Sequence, residues 1–183
     1  MCRLADKYFI YIPLHLYRYR TKPIMKNSNR IKLGLLFVIL IISCQLSMAQ
    51  DEAERQKNFN IEKGVMLSGY DAVSYFSGKP IKGKNTFQYK YKSCVYQFSS
   101  QANLDKFKTN PAAFEPSYGG WCAYAMGYKG EKVEVDPETY KIINGKLYLF
   151  YNAFFNNTLT DWNKNEANLK KKADASWATI IIR

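Results

Sequence analysis

The chain has 183 residues, with 27 lysines and arginines against 15 aspartates and glutamates, four cysteines and one histidine; that length suits one domain with an appendage. Eight of the basic residues, one acid (Asp6), His15, Cys2 and Cys44 fall in the first 50 residues, which leaves residues 51–183 with 19 basic against 14 acidic residues, a net charge of +5. That part has no histidine, so it holds no Ser-His-Asp triad, Cys-His pair, histidine-ligated zinc or HExxH metalloprotease site, and its mild charge gives no reason to expect a nucleic-acid partner.

In chain order, residues 1–24 are aromatic and basic without helical or strand period and are expected to be a leader upstream of a true start at Met25. Residues 25–49 read as a signal peptide. Lys26, Arg30 and Lys32 precede a dozen apolar residues from Leu33 to Cys44, and Ser47-Met48-Ala49 supplies a small-x-small site for cleavage after Ala49. Two other readings stay open: an uncleaved anchor, and a lipobox at Ile41-Ile42-Ser43-Cys44 that would make Cys44 a lipidated N-terminus. All three export the domain, to the periplasm or beyond, and limit membrane attachment to the N-terminus. Residues 50–57 are polar and charged, without core residues, and are expected to be a flexible lead-in to a domain at 58–183.

Gly69–Phe76 is a compact apolar stretch closed by the turn Ser77-Gly78-Lys79-Pro80. Phe87, Tyr89 and Tyr91, then Cys94, Tyr96 and Phe98, alternate with mostly polar neighbours and predict two paired strands. Ser99-Ser100 caps a short helix that ends at Asn110-Pro111. Tyr118-Gly119-Gly120 is a bend into a short helix over Trp121–Met126, stopped at Gly127 or Gly130; Val133–Val135 reads as a strand and Asp136-Pro137 as a turn. Asn144-Gly145 between apolar runs is a hairpin signal, and Thr158–Ile181 is helical in tendency. The expected fold is α+β, a small antiparallel sheet of hairpins with helices on one side and a C-terminal helical segment.

Several features carry chemistry, most of them beside a structural alternative. Cys122, after two glycines at a predicted helix start, suits an activated thiolate or a metal ligand, or else a small core residue. Met126, one turn on, would pair its thioether with that thiolate for Cu(I), or fill core. Asp71 is a metal ligand or general base, or caps a helix beginning at Ala72. Export makes a Cys94–Cys122 disulfide conceivable. The aromatic residues Tyr70, Tyr75, Tyr118, Trp121 and Tyr124 line a pocket or pack the core, and Lys170-Lys171-Lys172 reads as a solvated helix face.

Gly69–Phe76, Tyr96-Gln-Phe-Ser-Ser100, Phe107-Lys-Thr-Asn-Pro111, Tyr118–Ala125, Val135-Asp-Pro137 and Gly145-Lys-Leu-Tyr-Leu-Phe-Tyr-Asn152, in this order and spacing, resemble the YHS-domain proteins, in their exported bacterial branch. The resemblance spans about Val65 to Trp177. It implies a non-catalytic binding or accessory module, with copper as a first ligand by analogy, since relatives attached to copper-transporting ATPases carry a Tyr-x-Phe-Cys segment followed by a second cysteine. Here Ser99 and Asn103 stand at the thiolate positions, and neither side chain replaces a thiolate. The implied ligand site is Tyr70, Asp71, Tyr118, Trp121 and Cys122, with Cys122, Met126 and Asp71 as its metal set. A thiol redox protein using Cys122, and a purely structural envelope partner, are the alternatives.

Overall fold

The computed structural model describes residues 27–181; the leader, Met25 and Cys2 lie outside them. The chain divides into two units, Met1–Ile42 and Ser43–Arg183. Helix α1 (Asn27–Asn58) contributes residues to both. The helix from Lys32 to Asn58 is long and apolar enough to cross a membrane by length and composition, its apolar 18-residue window having a mean hydropathy of 2.0, and the side chains described between 32 and 42 are all exposed.

The second unit is α+β. Four antiparallel hairpins follow one another: β1 (Ile61–Glu62) with β2 (Val65–Met66), β3 (Lys84–Tyr91) with β4 (Cys94–Phe98), β5 (Asp136–Ile143) with β6 (Lys146–Phe150), and β7 (Asn152–Ala153) with β8 (Asn156–Asn157). Each is a two-stranded sheet of its own rather than part of one sheet. All four turns have two residues, both at positive φ: Lys63-Gly64, Lys92-Ser93, Asn144-Gly145 and Phe154-Phe155. This is the arrangement whose twist matches that of the strands it joins. The helices are α2 (Gln101–Thr109), α3 (Pro111–Phe114), α4 (Ala123–Tyr128), α5 (Thr158–Lys164) and the C-terminal α6 (Glu166–Ile181).

Ser100 caps α2, its hydroxyl accepting from Asn103 N at 3.2 Å, as its position before the apolar face predicts. Four expectations differ from the structure. Val133–Val135 forms no strand, the next strand starting only at Asp136. Asp136-Pro137 opens strand β5 instead of forming a turn. A strand that pairs on one side only, with a register irregularity between Asp136 and Tyr140, tolerates the missing proline N–H. The run Thr158–Ile181 is two helices, broken at Asn165, whose N–H turns back to the Trp162 carbonyl. Residues 51–57 are helical, and Arg55 is only 6% exposed. Its guanidinium pairs with Glu115 and donates to the Lys92 carbonyl at 3.0 Å, and it lies 4.2 Å from the Phe59 ring. Burial opposes that charge, but the Glu115 hydrogen bond and charge outweigh it and hold the guanidinium above its ordinary pKa.

Strand β6 joins two core clusters. Side chains alternate across a strand, so Leu147 and Leu149 face one cluster while Tyr148 and Phe150 face the other. The first is organised on Phe107, with Tyr96 and Phe98 rings at 4.8 and 5.0 Å. The second packs Tyr118, Met126, Trp162, Leu169 and Ala173. Here α4 crosses α6 so closely that a Cβ on Gly127 would lie 2.4 Å from the Leu169 carbonyl oxygen, so only glycine fits there.

Candidate functional site

Tyr118, Gly119 and Gly120 hold successive φ values of 55°, 61° and 89°, three left-handed residues that only the two glycines adopt without strain. The bend is clamped from outside. Asn60 N donates to the Gly119 carbonyl at 2.9 Å, and the Trp121 indole N–H donates to the Asn58 carbonyl at 2.7 Å. Single bridges from Pro116 to Leu147 and from Cys122 to Leu149 lay the segment parallel to β6.

A cleft of about 420 Å³ opens at Gly119, within the size range of small-ligand sites. Phe59, Tyr118, Tyr148 and Trp177 line it, together with Glu115, Lys146 and Lys170. A Cβ on Gly119 would stand 2.7 Å from Trp177 Cη2 and 3.0 Å from Phe59 Cδ1, so the missing side chain is what lets these rings close around the bend. The rings meet edgewise or tilted, Tyr118 to Tyr148 at 5.7 Å and Phe59 to Trp177 at 5.8 Å. Tyr118 donates its hydroxyl to Asp174 Oδ1 at 2.8 Å, and Lys170 donates to Oδ2 of the same carboxylate at 2.7 Å. Burial first, then the Asp174 hydrogen bond and charge, push the Tyr118 phenol far above its ordinary pKa, so it is a neutral donor. Asp174 likewise raises Lys170, chiefly through its hydrogen bond. Lys146 donates to the Ala112 carbonyl at 3.2 Å, one of the three bonds an ammonium can donate. Glu115 is spent on Arg55 and on the Tyr96 hydroxyl, 2.7 Å away. With Glu115 paired to Arg55 and Lys170 to Asp174, the charge left to face the cleft is that of Lys146.

The anticipated five-residue site is divided. Cys122 is fully buried, its sulfur 3.4 Å from Thr158 Oγ1 and accepting from Tyr151 N at 3.4 Å. It backs a second cleft, of about 360 Å³, lined also by Tyr124, Tyr128, Lys129, Glu131 and Asn156. The thiol therefore packs as a small core residue and is not presented to solvent. Met126 is fully buried in the second core cluster. Cys94 and Cys122 are both free, with no bridge between them; Cys94 sits in the first cluster, where burial pushes its thiol up against the opposing pull of Arg55. Cys44 is a free, exposed cysteine on α1.

Asp71 is fully buried and fully used. One oxygen accepts from Val73 N and Ser74 N at 2.9 and 3.3 Å, turning the chain into the 3₁₀ turn Ser74–Ser77. The other accepts from Ser99 N, Ser99 Oγ and Asn103 Nδ2 at 2.8, 2.6 and 2.7 Å. Tyr70 is engaged elsewhere, donating to Glu138 Oε1 at 2.9 Å under the Lys82 ammonium. Among the described residues no group of three or more histidine, cysteine, aspartate or glutamate side chains is placed to hold a metal ion. The set Cys122, Met126 and Asp71 does not fit copper, because the sulfur is sealed and the carboxylate is filled by five protein donors.

No protein-family model, curated protein or solved structure matches this chain.

Of the expected residues, only Tyr118 lines the cleft at Gly119. Sequence reasoning missed Phe59, Lys146, Tyr148, Lys170 and Trp177. Two signals were available: Asn144-Gly145 sets Lys146 and Tyr148 on one side of β6 at period two, and 170, 174 and 177 recur at helical spacing on one face of α6.

Proposed function

We propose that residues 43–183 form an exported, non-catalytic binding module, related in its motif order to the YHS-domain proteins, whose ligand is a small aromatic anion held at the Gly119 bend. The observation that carries this reading is the cleft itself: four aromatic rings converge on a position where only glycine fits, with Lys146 and Lys170 beside them. Aromatic walls supply apolar contact and ring stacking, and the Lys146 ammonium, with the donors of Lys170 that Asp174 leaves over, fixes a carboxylate. Export is supported by the apolar stretch of α1, which serves equally as a signal sequence or an anchor; intact mass of the exported form separates cleavage after Ala49, lipidation at Cys44 and a retained helix. The thiol redox alternative is disfavoured by the burial of Cys122.

The test is tryptophan fluorescence of the purified protein titrated with phenylacetate, indole-3-acetate and phenyltrimethylammonium. The two anions are expected to change the emission saturably and the cation not to. Lys146→Ala should weaken anion binding about three- to tenfold, the loss of one partly exposed charge-assisted contact. Equal response to cation and anions, or an unchanged affinity in Lys146→Ala, would contradict the reading.

A further inference from the structure

We infer that the β7–β8 hairpin tip, Phe154-Phe155, is a membrane-contact element that inserts into the interface of an anionic bilayer. Both side chains stand in solvent, at 92% and 112% exposure. Both also sit at left-handed φ, 51° and 62°, a conformation that disfavours bulky residues. Glycine or serine holds the second turn position in the other three hairpins; here the chain spends strain and apolar exposure on two adjacent phenyl rings. Such a pair gains about 1.5–3 kcal/mol per ring when it leaves water, and folding of this chain supplies no such burial.

The surroundings suit a lipid interface. Asn156, next to the tip, borders the cleft that Tyr124 and Tyr128 also line. Those two tyrosines stack at 5.5 Å, with Tyr128 63% exposed. Amphipathic rings of this kind settle at headgroup level. Lys129 follows Tyr128 with its ammonium 6.0 Å from the ring. Glu131 is the acid that lines this cleft; Asp161, whose charge bears on Tyr124, is bound to Lys164 at 2.6 Å. The surplus of 19 basic over 14 acidic residues in 51–183 complements anionic headgroups, and the apolar stretch of α1, where it is kept, holds the chain at a membrane. This contact lies outside the N-terminus and does not depend on the ligand cleft at Gly119.

The test uses the protein as exported, with whatever N-terminus it carries, and vesicles of equal parts phosphatidylcholine and phosphatidylglycerol. Phe155→Trp is expected to add tryptophan emission, over the wild-type background, that shifts to the blue on vesicles and is quenched by brominated acyl chains. Phe154→Asn/Phe155→Gly installs the preferred residues for this turn, so the fold is retained; the quenching assay is replaced there by co-sedimentation, in which binding should fall at least about tenfold for an unanchored N-terminus. Added emission that stays solvent-like and unquenched on vesicles overturns the proposal, whether the N-terminus is anchored or free. So does, for an unanchored N-terminus, an Asn-Gly variant that sediments like wild type. A tip that turns out to bury itself against a protein partner, and not lipid, overturns it too.

Discussion

Asp71 shows how a residue can look like a ligand in sequence and serve the fold in space. Its placement in an apolar, aromatic stretch was visible, and so was a capping role, though for a helix at Ala72 and not for the 3₁₀ turn Ser74–Ser77. What the sequence hid was the second oxygen, which receives Ser99 and Asn103 from the start of α2, 28 and 32 residues away. Those side chains stand at the thiolate positions of the motif; in the structure they complete the hydrogen bonding of a buried carboxylate, which must be satisfied to be tolerated. Asp71→Ala leaves several buried donors without an acceptor and should lower stability by about 3 kcal/mol or more, read as a shift of the urea midpoint; a loss under about 1 kcal/mol would contradict this account. The same scale governs the cysteines. Cys94 and Cys122 have no exposed surface, so both should resist alkylation in native protein and react at once in denaturant, as quantified by mass. Rapid native labelling of Cys122 would restore the exposed-thiol reading.

At the scale of elements, alternation and turn chemistry made β3, β4, β5 and β6 legible, because period two and an Asn-Gly pair are local signals. The β7–β8 hairpin was not legible, since Phe-Phe carries no turn signal and each strand is two residues long. The helical lead-in escaped for another reason: a charged segment hides its core residue when that residue is an arginine whose stem lies along rings and whose head finds Glu115. The left-handed turn gives a stability prediction. Phe155→Gly should raise the unfolding free energy by about 1 kcal/mol, as relief of the αL penalty exceeds the added chain entropy of glycine. A loss of stability on that substitution would show that Phe155 packs against the domain.

For the whole molecule, composition and the apolar run set the class and the export reading, while the ligand cleft depended on contacts between 59, 119, 148 and 177 that no local window contains. The same packing sets an alkaline limit. Burial holds the phenols of Tyr75, Tyr96 and Tyr118 above the usual tyrosine range, with Glu115 adding to Tyr96 and Asp174 to Tyr118. Below about pH 10 both folded and unfolded phenols are protonated and the contribution is fully present; above it the unfolded chain releases protons that the folded chain keeps, so stability falls by about 1.4 kcal/mol per pH unit for each tyrosine. Urea midpoints measured from about pH 9 to about pH 11 should decline steeply, and Tyr96→Phe should flatten part of that decline; a flat profile would contradict it.

The central claim, a binding cleft at the glycine bend, is tested most directly by NMR shift mapping with indole-3-acetate on labelled protein. Saturable changes are expected at the amides of Tyr118, Gly119, Tyr148 and Trp177 and their neighbours, and nowhere else. Changes centred instead on Cys122, Tyr128 and Tyr151, or no saturable change anywhere, would contradict it.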